Sequence, residues 1–493
     1  SAPRTPRGYF QAENEDGVRL HDLSATALSA MIARRETSAA EVMAAFLDRI
    51  EAVNPAVNAI VSLRPREVLL AEARAADARQ WRGWLHGLPM AVKDLVAVKG
   101  LRTTWGSPIR AEHVPDRDDL IAARMRAAGA IFIGKTNTPE WGLGSHTFNE
   151  VFGATRNPYD LGRSAGGSSG GAAAALAARM VPVADGSDMM GSLRNPAAFC
   201  NVYGFRPTWG LVPGDAEGDG FMATMATEGP MARCPEDLAR LLEVLAGPNP
   251  EVPFGRGAEP YAQWLDAPVA GARIGWLGDW GGAYACEPGV TGLCEAALTV
   301  FADAGCIVEP LAPPVPAERL WDAWVTLRAF LNAGGKRAMY DDPAQRAHLK
   351  PEAVWEIEQG LNLPAEAGYR ASVTRSEWYA TLAQLFRAYD ALVLPAAQVW
   401  PFPVEWRHPA AINGRKLDTY HRWMEIVIPV SLAGVPCAAL PARFAGGGLP
   451  MGFQLFGPPG ADRAVLRLAQ TYHRATDWPG RRPPPLQVRP SRV

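Results

Sequence analysis

Apolar side chains in "TSAAEVMAAFLDRIEAVNP" fall at Val42, Ala45, Phe46, Leu47 and Ile50, the spacing of one face of an α-helix. Ser38 and Glu41 stand three apart at its start, the pattern of a capping box, so the helix is predicted to begin just after Ser38. Downstream the period changes repeatedly. Short β-prone runs, "PMAVKDLVAV", "GAIFIGKTN" and "MVPVADGSD", alternate with helical ones, "DDLIAARMRAAG" and "GGAAAALAAR". That alternation predicts an α/β fold, a mixed sheet covered by helices.

Between Leu245 and Pro260 the density of Pro and Gly marks a long surface connection. After it "ARIGWLG" reads as a strand and "GVTGLCEAALTVFADAG" as a helix. A helical, tryptophan-bearing insertion at about 320–390 breaks the rhythm, and "YDALVLPA", "GVPCAALPARF" and "GLPMGFQLFGPPG" return to strands. The expected organisation is a helical region over 1–85, a central segment over 86–245, the rest of the α/β fold over 246–478 and a Pro/Arg-rich tail over 479–493. The tail is expected to be extended or disordered, since its prolines sustain neither helix nor sheet; an SH3-type partner is the lesser alternative.

Composition narrows the function classes. With 493 residues and 48% hydrophobic content the chain can bury a large core. A net charge of −2 argues against a nucleic-acid surface. Neither a signal-peptide pattern nor an apolar run of membrane-spanning length is found, so a soluble cytoplasmic protein is expected, with room for a processed upstream segment because the first residue is not Met. Six scattered cysteines show no zinc spacing and read as structural thiols.

The chemistry concentrates in "RSAGGSSGGAAAALAARM", Arg163 to Met180. It is not a P-loop, because Gly171 is followed by alanines and not by the Lys that reaches phosphates. Gly166 to Gly170 fits G-x-S-x-G, but no apolar strand precedes it, and His348, His408, His421 and His473 carry no local motif that would complete a triad. A plain Gly/Ser turn remains open, as does a helix start whose backbone N–H groups face a developing negative charge.

Other stretches decide between them. "HGLPMAVKDLVAVKGLRTTWGS", "GKTNTPEWGLGS" and "FGATRNPYDLGRSAGGSSGGAAAALAA", with "VADGSDMMGSLRNPAAFCNVYGFRPTWGLVP" following, together resemble the amidase signature family. The likeness runs from about residue 20 to 475 and is weakest between roughly 255 and 385. It implies that family's fold, a large mixed sheet with helices on both faces, and a Ser-cisSer-Lys triad: Lys93 as base, Ser168 as bridging serine, Ser192 as nucleophile. It further implies an oxyanion hole from the backbone N–H groups of Met189, Met190, Gly191 and Ser192, and supporting roles for Asn137, Ser169, Asp188 and Arg194. Met190 stands where many members have Gly.

The chemistry is coherent in its own terms. A serine hydroxyl needs a base, and a lysine serves only if its surroundings keep it neutral, as the apolar run around Lys93 suggests. Trp141, Phe148, Met189, Met190 and Trp321, with Trp324 and Trp355, are expected to shape an apolar pocket. The expected activity is hydrolysis of a small hydrophobic or aryl amide or carbamate, as by an aryl acylamidase or urethanase, through an acyl-enzyme with neither metal nor organic cofactor. The alternatives are an esterase, an amidotransferase-subunit-like glutamine amidase and, last, a non-catalytic binding module. The expected partners are the small substrate alone, without nucleic acid or membrane, in a monomer or homodimer.

Overall fold

The computed structural model describes residues 19–486. Helix α1 spans Ala25–Arg34 and α2 spans Ala39–Val57, the latter opened by the Ser38–Glu41 capping box in both directions. Val42, Phe46, Leu47 and Ile50 are all buried, as the helical spacing requires. A three-stranded sheet follows: β1 (Ile60–Val61), β2 (Pro89–Lys93) and β3 (Ile131–Thr136), with β3 central, parallel to β2 and antiparallel to β1.

The main sheet has eight strands: β4 (Val183–Asp188), β5 (Tyr203–Arg206), β6 (Thr227–Ala232), β7 (Arg273–Trp276), β8 (Ile307–Pro310), β9 (Ala391–Pro395), β10 (Cys437–Phe444) and β11 (Pro450–Phe456). Their order is β8-β7-β9-β11-β10-β5-β6-β4, with β7 parallel to β8 and β9 and every other pair antiparallel. The seven strand-like runs read from sequence lie on strands of these two sheets, two on the small one and five on the large one. Strands β1, β5, β6 and β8 do not show in the pattern: β1 has two residues and β5 four, and β6 contains Gly229 and Pro230, residues that ordinarily argue against a strand interior. Pro230 is tolerated because β5 pairs β6 only at Met231 and Ala232.

Alternation along the strands gives the sheet two covered faces. Tyr203 and Phe453 point to one face and pack edge-on to His473 and Tyr472 of the C-terminal helix Asp462–Thr476, at 5.4 and 5.2 Å. Gly204, Gly229 and Gly186 lie on the other, beneath α3 (Gly170–Ala177) and α4 (Asn195–Cys200). Three further helices, Ala317–Asp341, Pro351–Leu361 and Ala365–Leu385, occupy the segment between β8 and β9. The tail reading needs correction at its start: Trp478–Arg481 forms one helical turn because Asp477 caps it through the Gly480 N–H at 3.1 Å. Residues 487–493 of the tail and the first eighteen residues lie outside the described part.

The glycines have a specific task. A Cβ at Gly186 or Gly229 would meet a Leu193 methyl at 2.7 Å, and one at Gly204 would run into the Leu193 carbonyl oxygen. Three neighbouring strands therefore lack side chains where the turn after β4 nests on the sheet. Gly204→Ala is expected to push that turn off the sheet, costing about 2 kcal/mol as an overpacked core site does, with activity falling alongside. A denaturant titration and an assay of the same preparation check it.

Candidate active site

Lys93 is the last residue of β2 and is fully buried. Its backbone N–H donates to the Asp185 carboxylate of β4 at 3.1 and 3.2 Å, which ties the small sheet to the edge of the large one. Its Nζ meets three hydroxyls: Ser168 Oγ at 2.8 Å, Ser169 Oγ at 2.9 Å and Ser187 Oγ at 2.8 Å. Ser169 directs its own proton to the Ser187 carbonyl at 3.3 Å, so it accepts from Nζ. Ser168 and Ser187 are then the hydroxyls free to donate to a neutral amine, which has two N–H donors and one lone pair.

Burial pulls the Lys93 ammonium down to about 8 from its ordinary 10.5, while Glu228, Asp185 and Asp188 push the other way. Burial raises Asp185, an effect opposed chiefly by the charge of the buried Lys135.

Ser168 follows a cis peptide at Gly167-Ser168 and leads into α3, with Ser169 at the N-cap. The glycines here serve close packing: a Cβ at Gly170 would strike the Thr147 side chain, and one at Gly171 the Asn137 backbone. The whole stretch from Ser164 to Gly171 is buried, so it is a packed turn and not a solvated one. Three of the four histidines weighed for a triad are engaged elsewhere: His408 with the Pro409 carbonyl, His421 with Thr419, and His473 with Tyr203.

Ser192 sits in the turn between β4 and α4 and is 7% exposed, against 2% for Ser168 and none for Lys93. Of the three it is the most open to a substrate. Asp188 holds the turn together, accepting the N–H of Gly191 at 3.0 Å and of Leu193 at 3.1 Å. The same carboxylate receives Arg194 Nε and Nη2, both at 2.9 Å, and Arg206 Nη1 at 3.1 Å. Burial alone would raise Asp188, but the two guanidinium groups hold its carboxyl well below the usual range. Arg194 reaches on to the Val427 carbonyl and Gln454 at 2.8 Å and to Ser431 at 2.6 Å. The turn that carries Ser192 is thereby fixed to the C-terminal part of the sheet.

The family model "Amidase" matches residues 41–466. The chain belongs to the amidase signature family. It is 33% identical over 473 residues to an acylamidase of Rhodococcus erythropolis, covering 94% of this chain and 98% of that one. It is 36% identical over 471 residues to a glutamyl-tRNA(Gln) amidotransferase subunit from Thermus thermophilus, covering 91% and 96%. Among solved structures it superposes on a bacterial aryl acylamidase of the amidase signature family with a TM-score of 0.88 at 28% identity, covering 95% of this chain and all of that one.

Within this amidase signature chain, Lys93, Ser168 and Ser169 come together as expected, while Ser192 shares no hydrogen bond with them among the described residues. Gly191 departs from expectation, because its N–H is committed to Asp188. The N–H groups of Met189, Met190 and Ser192 have no acceptor among the described residues. Asn137 makes no hydrogen bond to Lys93 among the described residues. Its side chain donates to Thr155 and Gly153 and accepts from Asn149, and its carbonyl accepts the Gly171 N–H, so it orders the start of α3.

The pocket reading divides. Trp141 is half-buried and stacks on Trp105, and the adjoining Gly142 lies against Ser168. Phe148 is half-buried beneath the cations of Lys350 and Arg407. Met189 is half-buried, its sulfur 3.5 Å from Arg328 Nη1. Met190, Trp321 and Trp324 are core residues: Trp321 is clamped by Arg422, 4.3 Å over its ring, and by His421. Hydrophobicity alone did not distinguish core from cleft.

The sequence reading missed Asp185, Ser187 and Glu228. Asp185 and Ser187 alternate on one face of β4 in "ADGSD", a signal available once that run is taken as a strand. Removing the Asp188 charge leaves two buried guanidinium groups without their counter-ion, so Asp188→Asn is expected to cost about 3–5 kcal/mol. Urea unfolding midpoints of parent and variant measure it.

Proposed function

We propose that the chain hydrolyses a small aryl or otherwise hydrophobic amide or carbamate, with Ser192 carrying the acyl group. The observation that carries this reading is a buried Lys93 amine whose hydrogen-bond partners are serine hydroxyls and whose burial favours the neutral form. Such an amine can take the Ser168 proton while Ser168 takes that of Ser192. Hydrogen bonds of this kind commonly tighten only in the substrate complex, which accommodates the missing Ser168–Ser192 contact.

Attack then places negative charge on the carbonyl oxygen, where the N–H groups of Met189, Met190 and Ser192 are free to receive it. Lys93 and Ser168 return the proton to the departing nitrogen, which leaves poorly as an anion. Water completes the turnover by the same route. The Trp105–Trp141 pair and Met189 favour an apolar or aryl group beside Ser168, in keeping with the likeness to the aryl acylamidase.

The likeness to the amidotransferase subunit supports a second reading, glutamine as substrate. Turnover of a panel containing glutamine, anilides, carbamates and matched esters by the isolated chain separates the readings; hydrolysis of glutamine alone would overturn the aryl assignment. Ser192→Ala and Lys93→Met are each expected to lower kcat by at least about 10³-fold.

The rate should rise with pH through about 8, because the base is active above the value to which burial brings it. A rate rising toward acid contradicts it. Ser168→Ala should depress anilide turnover more than turnover of the matched ester, since an alkoxide needs the returned proton less than an amine does. Steady-state rates on the pair measure the difference.

A further inference from the structure

Glu228 has no part in the scheme above, yet its strand partner Ser187 is bonded to Lys93. It lies on β6 directly opposite Ser187 of β4, and Ser187 Oγ is 2.8 Å from Lys93 Nζ. Directly opposed residues of an antiparallel pair project to the same face with Cβ atoms about 5 Å apart. The Glu228 carboxylate is therefore on the Lys93 side of the sheet. Its Oε2 is buried and has no hydrogen-bond partner among the described residues, an unusual condition for a carboxylate oxygen.

The charged surroundings are one-sided. The groups facing Glu228 are Lys93 of β2, Asp185 of β4, Asp119 at the start of the helix Leu120–Ala127, and Asp215 of the loop after β5. Those facing Lys93 are Glu228, Asp185 and Asp188. Asp188 is neutralised by Arg194 and Arg206, and Asp185 is opposed by Lys135. Among the described residues Glu228 has no such second cation. It also borders a cavity of about 480 Å³ whose walls include Asp215, Glu217, Asp219 and Glu251 and do not include Ser192. Arg117 pairs with Glu217 of that wall, and the lining residues themselves carry no cation beside Glu228.

We propose that Glu228 is a positioning residue that acts through Lys93, its carboxylate setting the pH at which the lysine becomes a base. This rests on Lys93 being the base of the proposed function. An anionic Glu228 stabilises the ammonium form and so delays its deprotonation, while burial favours the neutral acid and pushes Glu228 up. The charge of each group bears on the titration of the other, and activity follows the state in which Lys93 has lost its proton.

The test is the pH profile of kcat/KM on a neutral anilide, from about pH 6 to about pH 10, for the parent, Glu228→Gln, Glu228→Leu and Glu228→Asp. Both neutral variants are expected to move the acid limb down by about one unit, a gain of roughly tenfold at fixed pH on the limb. The aspartate variant, which keeps the charge, should hold the limb nearer to the parent. Thermal melts of each variant confirm that the fold is kept. A limb that stays in place or moves up in folded Glu228→Gln overturns the inference. Lys93→Met in the same series separates the two levels: full activity there removes the proposed function, whereas an inactive Lys93→Met with an unmoved Glu228→Gln limb removes only the role of Glu228.

Discussion

Everything at this site depends on holding a lysine amine away from water with hydroxyl groups as its hydrogen-bond partners. An ammonium in that position loses its hydration, and three serine oxygens replace only part of it, so the neutral amine is favoured to an unusual degree. The strand end at Lys93, the start of α3 at Ser168 and Ser169, and the β4 residue Ser187 each supply one part. No single segment could build this arrangement. It exists because the small sheet abuts the edge of the large one, a junction closed by the Lys93 N–H on Asp185.

Around that junction the fold excludes side chains where the backbone must come close and supplies charge where a turn must be rigid. Gly186, Gly204 and Gly229 leave a bare patch for Leu193, which seats the turn carrying Ser192. Asp188 then fixes the turn with two backbone acceptor contacts and two buried guanidinium groups. Taking Gly191 for this purpose leaves three of the turn's four backbone N–H groups without an acceptor among the described residues, so rigidity of the turn carrying Ser192 is obtained at the expense of one donor.

Much of the fold was legible in the sequence because its strands and helices carry clean periods, as α2 and the run ending in Lys93 illustrate. Strand β6 was not, because Gly229 and Pro230 disguise it, and with it went Glu228, whose meaning depends on a register opposite Ser187 that no local pattern states. Lys93, Ser168 and Ser192 were singled out through the likeness of whole motifs, not through any property of the three residues alone, and the structure brings Lys93 and Ser168 into hydrogen-bond contact. Asp185 and Ser187 were readable in principle from the alternation of β4. Met190 and Trp321 show the opposite limit: apolarity predicts burial, and only the packed neighbours, Arg422 and His421 for Trp321, decide between core and cleft.

The proposed chemistry stands on one property, that Lys93 loses its proton well below the ordinary lysine value. Its most direct test is a carbon-13 NMR titration of lysine-labelled protein, with Lys93→Arg used to assign the Lys93 signal. The account predicts that this signal titrates near 8. A midpoint at the ordinary lysine value of 10.5 would contradict it, because the amine would then be charged and unable to take the Ser168 proton.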